Sequence, residues 1–204
     1  MRRLSIILAL LAIGAAPPRP NVLAFGDSLT AGYGLEQGLG FAPQLQGALR
    51  RHGIAATVID GGVSGDTSQA GRARLAWTLD GLAQKPDLVI LELGANDMLR
   101  ALDPAVTEAN LDAMLSELKK RKIKVVLAGM RAAPNLDPGF IARFDRIYPT
   151  LAKRHGATLY PFFLDGVAGV EGTVQPDGMH PTFGGIKRIV TGILPTVKQA
   201  LGAF

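Results

Sequence analysis

Ser28, His180 and Asp177 are residue types that can serve as a nucleophile, a base and an orienting acid. A serine hydroxyl is a weak nucleophile at neutral pH and needs a base beside it. Imidazole suits that task because its pKa lies near the working pH. The chain has three histidines. His52 and His155 each end a helical pattern directly before a glycine, in Arg50-Arg51-His52-Gly53 and Lys153-Arg154-His155-Gly156. There a cation complements the helix dipole and glycine forms the cap, so both have a structural explanation. His180 has no such explanation. It lies in Pro176-Asp177-Gly178-Met179-His180-Pro181, three residues after Asp177. Within one turn, that spacing lets the carboxylate reach Nδ1 and leaves Nε2 to face a serine. It fits equally an aspartate that caps a turn beside a solvated histidine.

Ser28 follows the apolar run Val22-Leu23-Ala24-Phe25 and a break at Gly26. The C-terminal end of such a strand is where α/β proteins carry reactive groups. The pattern is not the glycine-flanked nucleophile elbow, because Thr30 stands where the second glycine would be. By its type alone Ser28 is most often a cap or turn residue. Acyl transfer also needs donors for a developing oxyanion. The Gly65 N–H, the Asn96 amide and the Ser28 N–H are three candidates, although Gly65 and Asn96 also fit as plain turn formers. Met98, Leu99 and Leu102 follow Asn96 closely and suit an acyl groove or the core equally.

These residues need elements to position them. Strands are expected at 21–25, 57–60, 88–91, 123–128 and 157–160, each short and apolar on both faces. Helices alternate with them: 41–51, a stretch capped by Ser68 and running to Leu82, 104–121, 138–153, and 183–201 with Pro195 inside it. Asn96 and Asp97 fall in a turn at 94–97. Five β-α units in succession imply an α/β fold, a parallel sheet covered by helices on both sides. Ser28, Gly65, Asn96 and the Asp177–His180 loop then all meet one sheet edge. The loop over 162–182 is long enough to need a functional reason.

At 204 residues with 48% apolar composition, the chain is one domain with a large core. It has no cysteine, which excludes a thiolate nucleophile, a disulfide and a cysteine metal site. Arg2 and Arg3 precede an apolar run from Leu4 to Ile13, too short to span a bilayer. Residues 1–16 are expected to be a signal peptide, or an uncleaved anchor, with the domain spanning 21–204 in the periplasm or outside the cell. Without Arg2 and Arg3, 20 basic residues face 17 acidic ones, a formal charge of +3. That excess, with no basic block interleaved with aromatics, argues against nucleic-acid binding. It is compatible with transient contact with lipid surfaces.

Four blocks in order resemble the SGNH hydrolases, also called GDSL lipases and esterases. They are Gly26-Asp27-Ser28-Leu29, Ser64-Gly65-Asp66-Thr67, Gly94-Ala95-Asn96-Asp97 and Asp177-Gly178-Met179-His180-Pro181. Each block alone is weak; four in order from residue 21 onward are specific. Longer matches in Val63–Gln69, Leu91–Asp97 and Ile147–Phe163 look similar to the family's bacterial periplasmic thioesterase, lysophospholipase and arylesterase members. The resemblance implies a flavodoxin-like three-layer α/β/α sandwich with no metal and no cofactor. It implies Ser28, His180 and Asp177 as a triad, with Ser28, Gly65 and Asn96 forming the oxyanion hole. Asp27, Asp97, Leu99 and Leu102 are expected on the substrate side, with Asp27 bracing the turn rather than reacting. The implied substrates are small-molecule acyl esters, thioesters or lysophospholipids, met by a monomer. Ala95 stands where many relatives have glycine, and Arg131 to Gly139 does not match closely. The rivals are a carbohydrate acetylesterase of the same superfamily and a non-catalytic binding domain on the same scaffold. The second gives no reason for Ser28, Asp177 and His180 to occur together.

Overall fold

The computed structural model describes residues 19–202, so the expected leader at 1–16 lies outside it. β1 (Asn21–Gly26) and β3 (Leu88–Glu92) are apolar runs buried almost throughout, as central parallel strands require. β2 (Thr57–Gly62) and β5 (Thr158–Tyr160) sit at the sheet's edges, and β4 (Lys124–Ala128) lies beside β5. The order is β2-β1-β3-β4-β5, all parallel. β2 departs from the expectation of two apolar faces: as an edge strand it is half-buried to exposed along its length.

The helices are α1 (Ser28–Ala31), α2 (Phe41–Arg51), α3 (Ser68–Asp80), α4 (Ala95–Leu99), α5 (Pro104–Lys120), α6 (Pro138–Asp145), α7 (Ile147–His155) and α8 (Phe183–Leu201). α2 packs with α8 on one side of the sheet, while α3, α5 and α7 pack together on the other. The result is the expected α/β/α sandwich. Phe25, Leu23, Ile90 and Leu91 from the strands meet Phe41, Leu45, Leu49, Leu75, Leu115 and Ile186 from the helices in one buried core.

Three local expectations change. The cap of α3 is Thr67, whose hydroxyl accepts from the Ala70 N–H, and Ser68 is the first helical residue. The single helix expected over 138–153 is two, meeting at Arg146. Pro149 explains the break: it has no N–H for the Asp145 carbonyl and its ring crowds that carbonyl. The turn expected at 94–97 is the start of α4.

The sheet order reverses between β1 and β3. β1 connects through α1 and α2 to β2 on one side, and the chain then returns past β1 to β3. In open α/β sheets the crevice at the strands' C-terminal ends is deepest at such a switch point. Ser28 follows β1 and Asn96 follows β3, so they flank that crevice.

Candidate active site

The turn that carries Ser28 is built first. Asp27 is the N-cap of α1, and its Oδ1 accepts the Leu29 N–H at 3.0 Å. That cap bends the chain out of β1 and leaves Ser28 at the first helical position, half-buried. The Ser28 N–H belongs to the first turn of α1, where backbone donors have no partner within the helix.

The long loop after β5 brings His180 to it. Phe163 and Val167 anchor the loop in the core, and the Thr173 hydroxyl donates to the Val167 and Val170 carbonyls. Val174 and Pro181 then pair as a short antiparallel bridge, closing the tight turn that holds Asp177 and His180. Asp177 Oδ1 accepts the Met179 and His180 N–H groups at 2.9 and 3.0 Å. Its Oδ2 lies 2.7 Å from His180 Nδ1. His180 Nε2 lies 2.9 Å from Ser28 Oγ. Carboxylate, imidazole and hydroxyl therefore form one hydrogen-bonded line. Its direction assigns the ring tautomer: Nδ1 donates to the carboxylate, and Nε2 accepts from the hydroxyl. The Met179 and His180 N–H groups, with the imidazole, pull the Asp177 carboxyl down to about 2. It is ionised at neutral pH.

The second and third blocks close the other side. Gly65 has φ +87, and a Cβ placed there would meet nothing within 4 Å, so it faces open space. No acceptor lies on its N–H among the described residues. Arg100 donates to the Gly65 carbonyl at 3.0 Å, and Arg74 holds Asp66 at 2.6 Å and the Gly26 carbonyl at 2.9 Å. The Asn96 amide donates to Asp27 Oδ2 at 3.1 Å and to the Asp66 carbonyl at 2.9 Å. Both partners are acceptors, which identifies the nitrogen and fixes its aim.

Asp27 and Asp97, expected on the substrate side, are instead buried completely. Asp27 holds the Leu29 N–H and the Asn96 amide. Asp97 accepts the Ser68 N–H and hydroxyl and the Thr107 hydroxyl, tying α4 to the start of α3 and to α5. Neither carboxylate is open to a ligand; both support the site from beneath. Leu99 is exposed at the same sheet end, at 57%, and Leu102 is half-buried. Met98 packs partly on the core. His52 and His155 stand away from the crevice at helix ends, and His155 pairs with Asp112 at 2.8 Å.

Glu92, the last residue of β3, does not stand out in the sequence as a site residue. It is fully buried under the Ser28 turn, where its Oε2 accepts from the Thr30 hydroxyl at 2.7 Å and the Asp27 N–H at 3.4 Å. Its Oε1 has no partner among the described residues. An ionised carboxylate there would cost on the order of several kcal/mol, since no cation compensates it. Burial first, and Asp27 second, push its pKa well up, which favours the neutral acid. Burial likewise raises the Asp27 carboxyl to about 6. The signal in the sequence is a single charge closing an apolar strand.

An open cleft at the other end of the sheet, of about 530 Å³, is lined by Ile54, Pro86, Leu201, Asp87 and three lysines. It holds no hydroxyl–imidazole pair. Among the described residues, no group of three or more histidine, cysteine, aspartate or glutamate side chains is placed to hold a metal ion.

A parallel α/β sandwich with a serine–histidine–aspartate line at its switch point defines a class of hydrolase. The chain belongs to the GDSL-like Lipase/Acylhydrolase family, which it matches over residues 24–187. It is 38% identical to Esterase TesA of Pseudomonas aeruginosa, over 97% of this chain and 98% of that protein. It is 40% identical to the Arylesterase of Vibrio mimicus, over 89% of this chain and 90% of that protein. Among solved structures it resembles AlinE4, an SGNH-hydrolase family esterase, with a TM-score of 0.78 and 47% identity over 91% of this chain and 98% of that one.

Proposed function

We propose that this protein is a serine esterase that hydrolyses carboxylic esters through an acyl-enzyme. The observation that carries the reading is the continuous line Asp177–His180–Ser28, at 2.7 and 2.9 Å, opening between Gly65 and Asn96. His180 Nε2 takes the Ser28 proton as Oγ attacks the acyl carbon. The ester C=O bond opens to a tetrahedral oxyanion, which receives the Ser28 and Gly65 N–H groups and the Asn96 amide. The Asn96 N–H now given to the Asp66 carbonyl is the one available for sharing with the oxyanion. The C–O bond to the leaving group then breaks, and His180 gives it the proton. Water repeats the cycle, releasing the acid and restoring Ser28. Asp177 fixes the tautomer and stabilises the imidazolium.

Thioesters and lysophospholipids fit the same reaction, because only the leaving group changes. Leu99 and Leu102 are the acyl-groove residues of this reading. Arg2, Arg3 and the apolar run to Ile13 support export to the periplasm or beyond, and the exported enzyme acts as a monomer with transient contact with lipid surfaces. The test is hydrolysis of p-nitrophenyl esters from acetate to palmitate. Turnover that extends to butyrate and longer esters supports the acyl-esterase reading. Turnover confined to acetate favours a carbohydrate acetylesterase. No turnover across the panel contradicts the proposal and leaves a binding domain.

A further inference from the structure

One group at the site has no task in this reaction sequence. The Tyr33 ring lies 4.5 Å from the His180 ring, centroid to centroid, tilted by 39°. Its other side is open: 54% of the residue is exposed, although a tyrosine ring is large enough to stabilise strongly if buried. This exposure is built in, because the backbone beneath the ring is held from several directions. The Tyr33 N–H donates to the Ser28 carbonyl at 3.1 Å. The Gln175 amide donates to the Tyr33 carbonyl at 2.7 Å and to the Pro181 carbonyl at 3.0 Å, bridging this turn to the His180 loop. The Gln175 N–H adds a third tie by donating to the His180 carbonyl at 2.7 Å. Gly34, at φ +74, leaves the space that Gln175 fills; a Cβ there would collide with Gln175 Oε1.

The proton route says what lies beside that ring. The leaving oxygen must reach His180 Nε2 to be protonated, so the group attached to it departs alongside the imidazole, and Tyr33 covers the imidazole. We propose that Tyr33 is a specificity-determining residue on the leaving-group side, whose open face stacks on aromatic leaving groups and favours aryl over alkyl esters. The inference rests on the serine-esterase reading. Offset or tilted aromatic pairs add about two- to tenfold beyond simple burial.

The experiment compares kcat/KM for phenyl butyrate and ethyl butyrate in the wild type, Tyr33→Phe, Tyr33→Ala and Ser28→Ala. The two esters form the same butyryl-enzyme, so differences between them arise in acylation. Tyr33→Ala is expected to lower the phenyl ester about five- to tenfold and leave the ethyl ester within about twofold. Tyr33→Phe keeps both. Unchanged ethyl ester turnover also shows that the fold and His180 are intact. An equal fall for both esters overturns the inference, because Tyr33 would then act only by propping His180. An unchanged phenyl ester in Tyr33→Ala overturns it as well. Turnover retained in Ser28→Ala overturns the serine mechanism, and the inference with it.

Discussion

Asp27 Oδ2 accepts the Asn96 amide at 3.1 Å while its Oδ1 accepts the Leu29 N–H at 3.0 Å. One buried carboxylate thus sets both the nucleophile turn and the aim of the proposed oxyanion donor. Asparagine at this position keeps the cap if its oxygen faces Leu29, but then points an NH₂ at the Asn96 NH₂. Asp27→Asn is therefore expected to lower kcat at least tenfold with KM little changed, since an oxyanion contact is made mainly in the transition state. Steady-state kinetics on p-nitrophenyl butyrate check this. A variant with wild-type kcat would show that Asn96 needs no anchoring.

Removing the donor itself is more severe. Asn96→Ala should reduce kcat by roughly a hundredfold or more, with substrate binding nearly unaltered. An unchanged kcat removes Asn96 from the oxyanion hole.

Glu92 gives a pH signature to stability. Burial raises it, with Asp27 adding to the effect; Tyr148 is the other titratable group packed nearby, and burial raises it too. A carboxyl whose folded pKa exceeds its unfolded value stabilises the protein below the unfolded pKa, and that contribution is lost as pH rises through the folded pKa. Asp27 loses its share as pH climbs from about 4 through about 6, and Glu92 loses its share as pH rises above the ordinary carboxylate range through its raised folded pKa. Glu92→Gln mimics the neutral acid and cannot ionise. Its melting temperature relative to the wild type should rise as pH climbs above the ordinary carboxylate range, with activity at pH 7 within about threefold. A difference that stays constant with pH, or a large loss of activity, would mean that Glu92 is ionised and needed as a charge.

Asp177 behaves oppositely. Its folded carboxyl, at about 2, lies below the unfolded value of about 4, so its contribution is present at neutral pH and is lost as pH falls from about 4 through about 2. Ionised Asp177 holds His180 in the reactive tautomer throughout the working range. Asp177→Asn should cost about a thousandfold or more in kcat, with the protein still folded and its melting temperature at pH 7 lowered by the loss of the ionised carboxylate. A tenfold loss or less would show that the backbone of the 173–181 turn alone orients the imidazole.

The sequence carries the architecture because alternating apolar runs and helical patterns have few solutions other than a parallel sheet, and His180 lacked a helix-end explanation that His52 and His155 had. What it does not carry is the direction in which a carboxylate points. Asp27 and Asp97 stand in polar blocks beside Ser28 and Asn96, so their types suggest substrate contact. Their burial depends on α1 and α4 turning them inward, onto Leu29, Asn96, Ser68 and Thr107. Glu92 is hidden for a related reason: a charge ending an apolar strand resembles a solvated boundary, and only the fold of the Ser28 turn over it makes it buried. Tyr33 meets His180 across 147 residues of chain (180 − 33), a contact that no local pattern contains. The helix break at Arg146 was legible in Pro149, where the expected helix ran straight through.

The central claim is that Ser28 carries the acyl group. The most direct measurement is mass spectrometry of the protein labelled with a fluorophosphonate, and of the protein acid-quenched during p-nitrophenyl butyrate turnover, with the modified residue mapped by fragmentation. The account predicts one phosphonyl or butyryl group per chain, on Ser28, and none on the Ser28→Ala variant, which remains folded and inactive. A label on another residue, or undiminished labelling and turnover in Ser28→Ala, would contradict it.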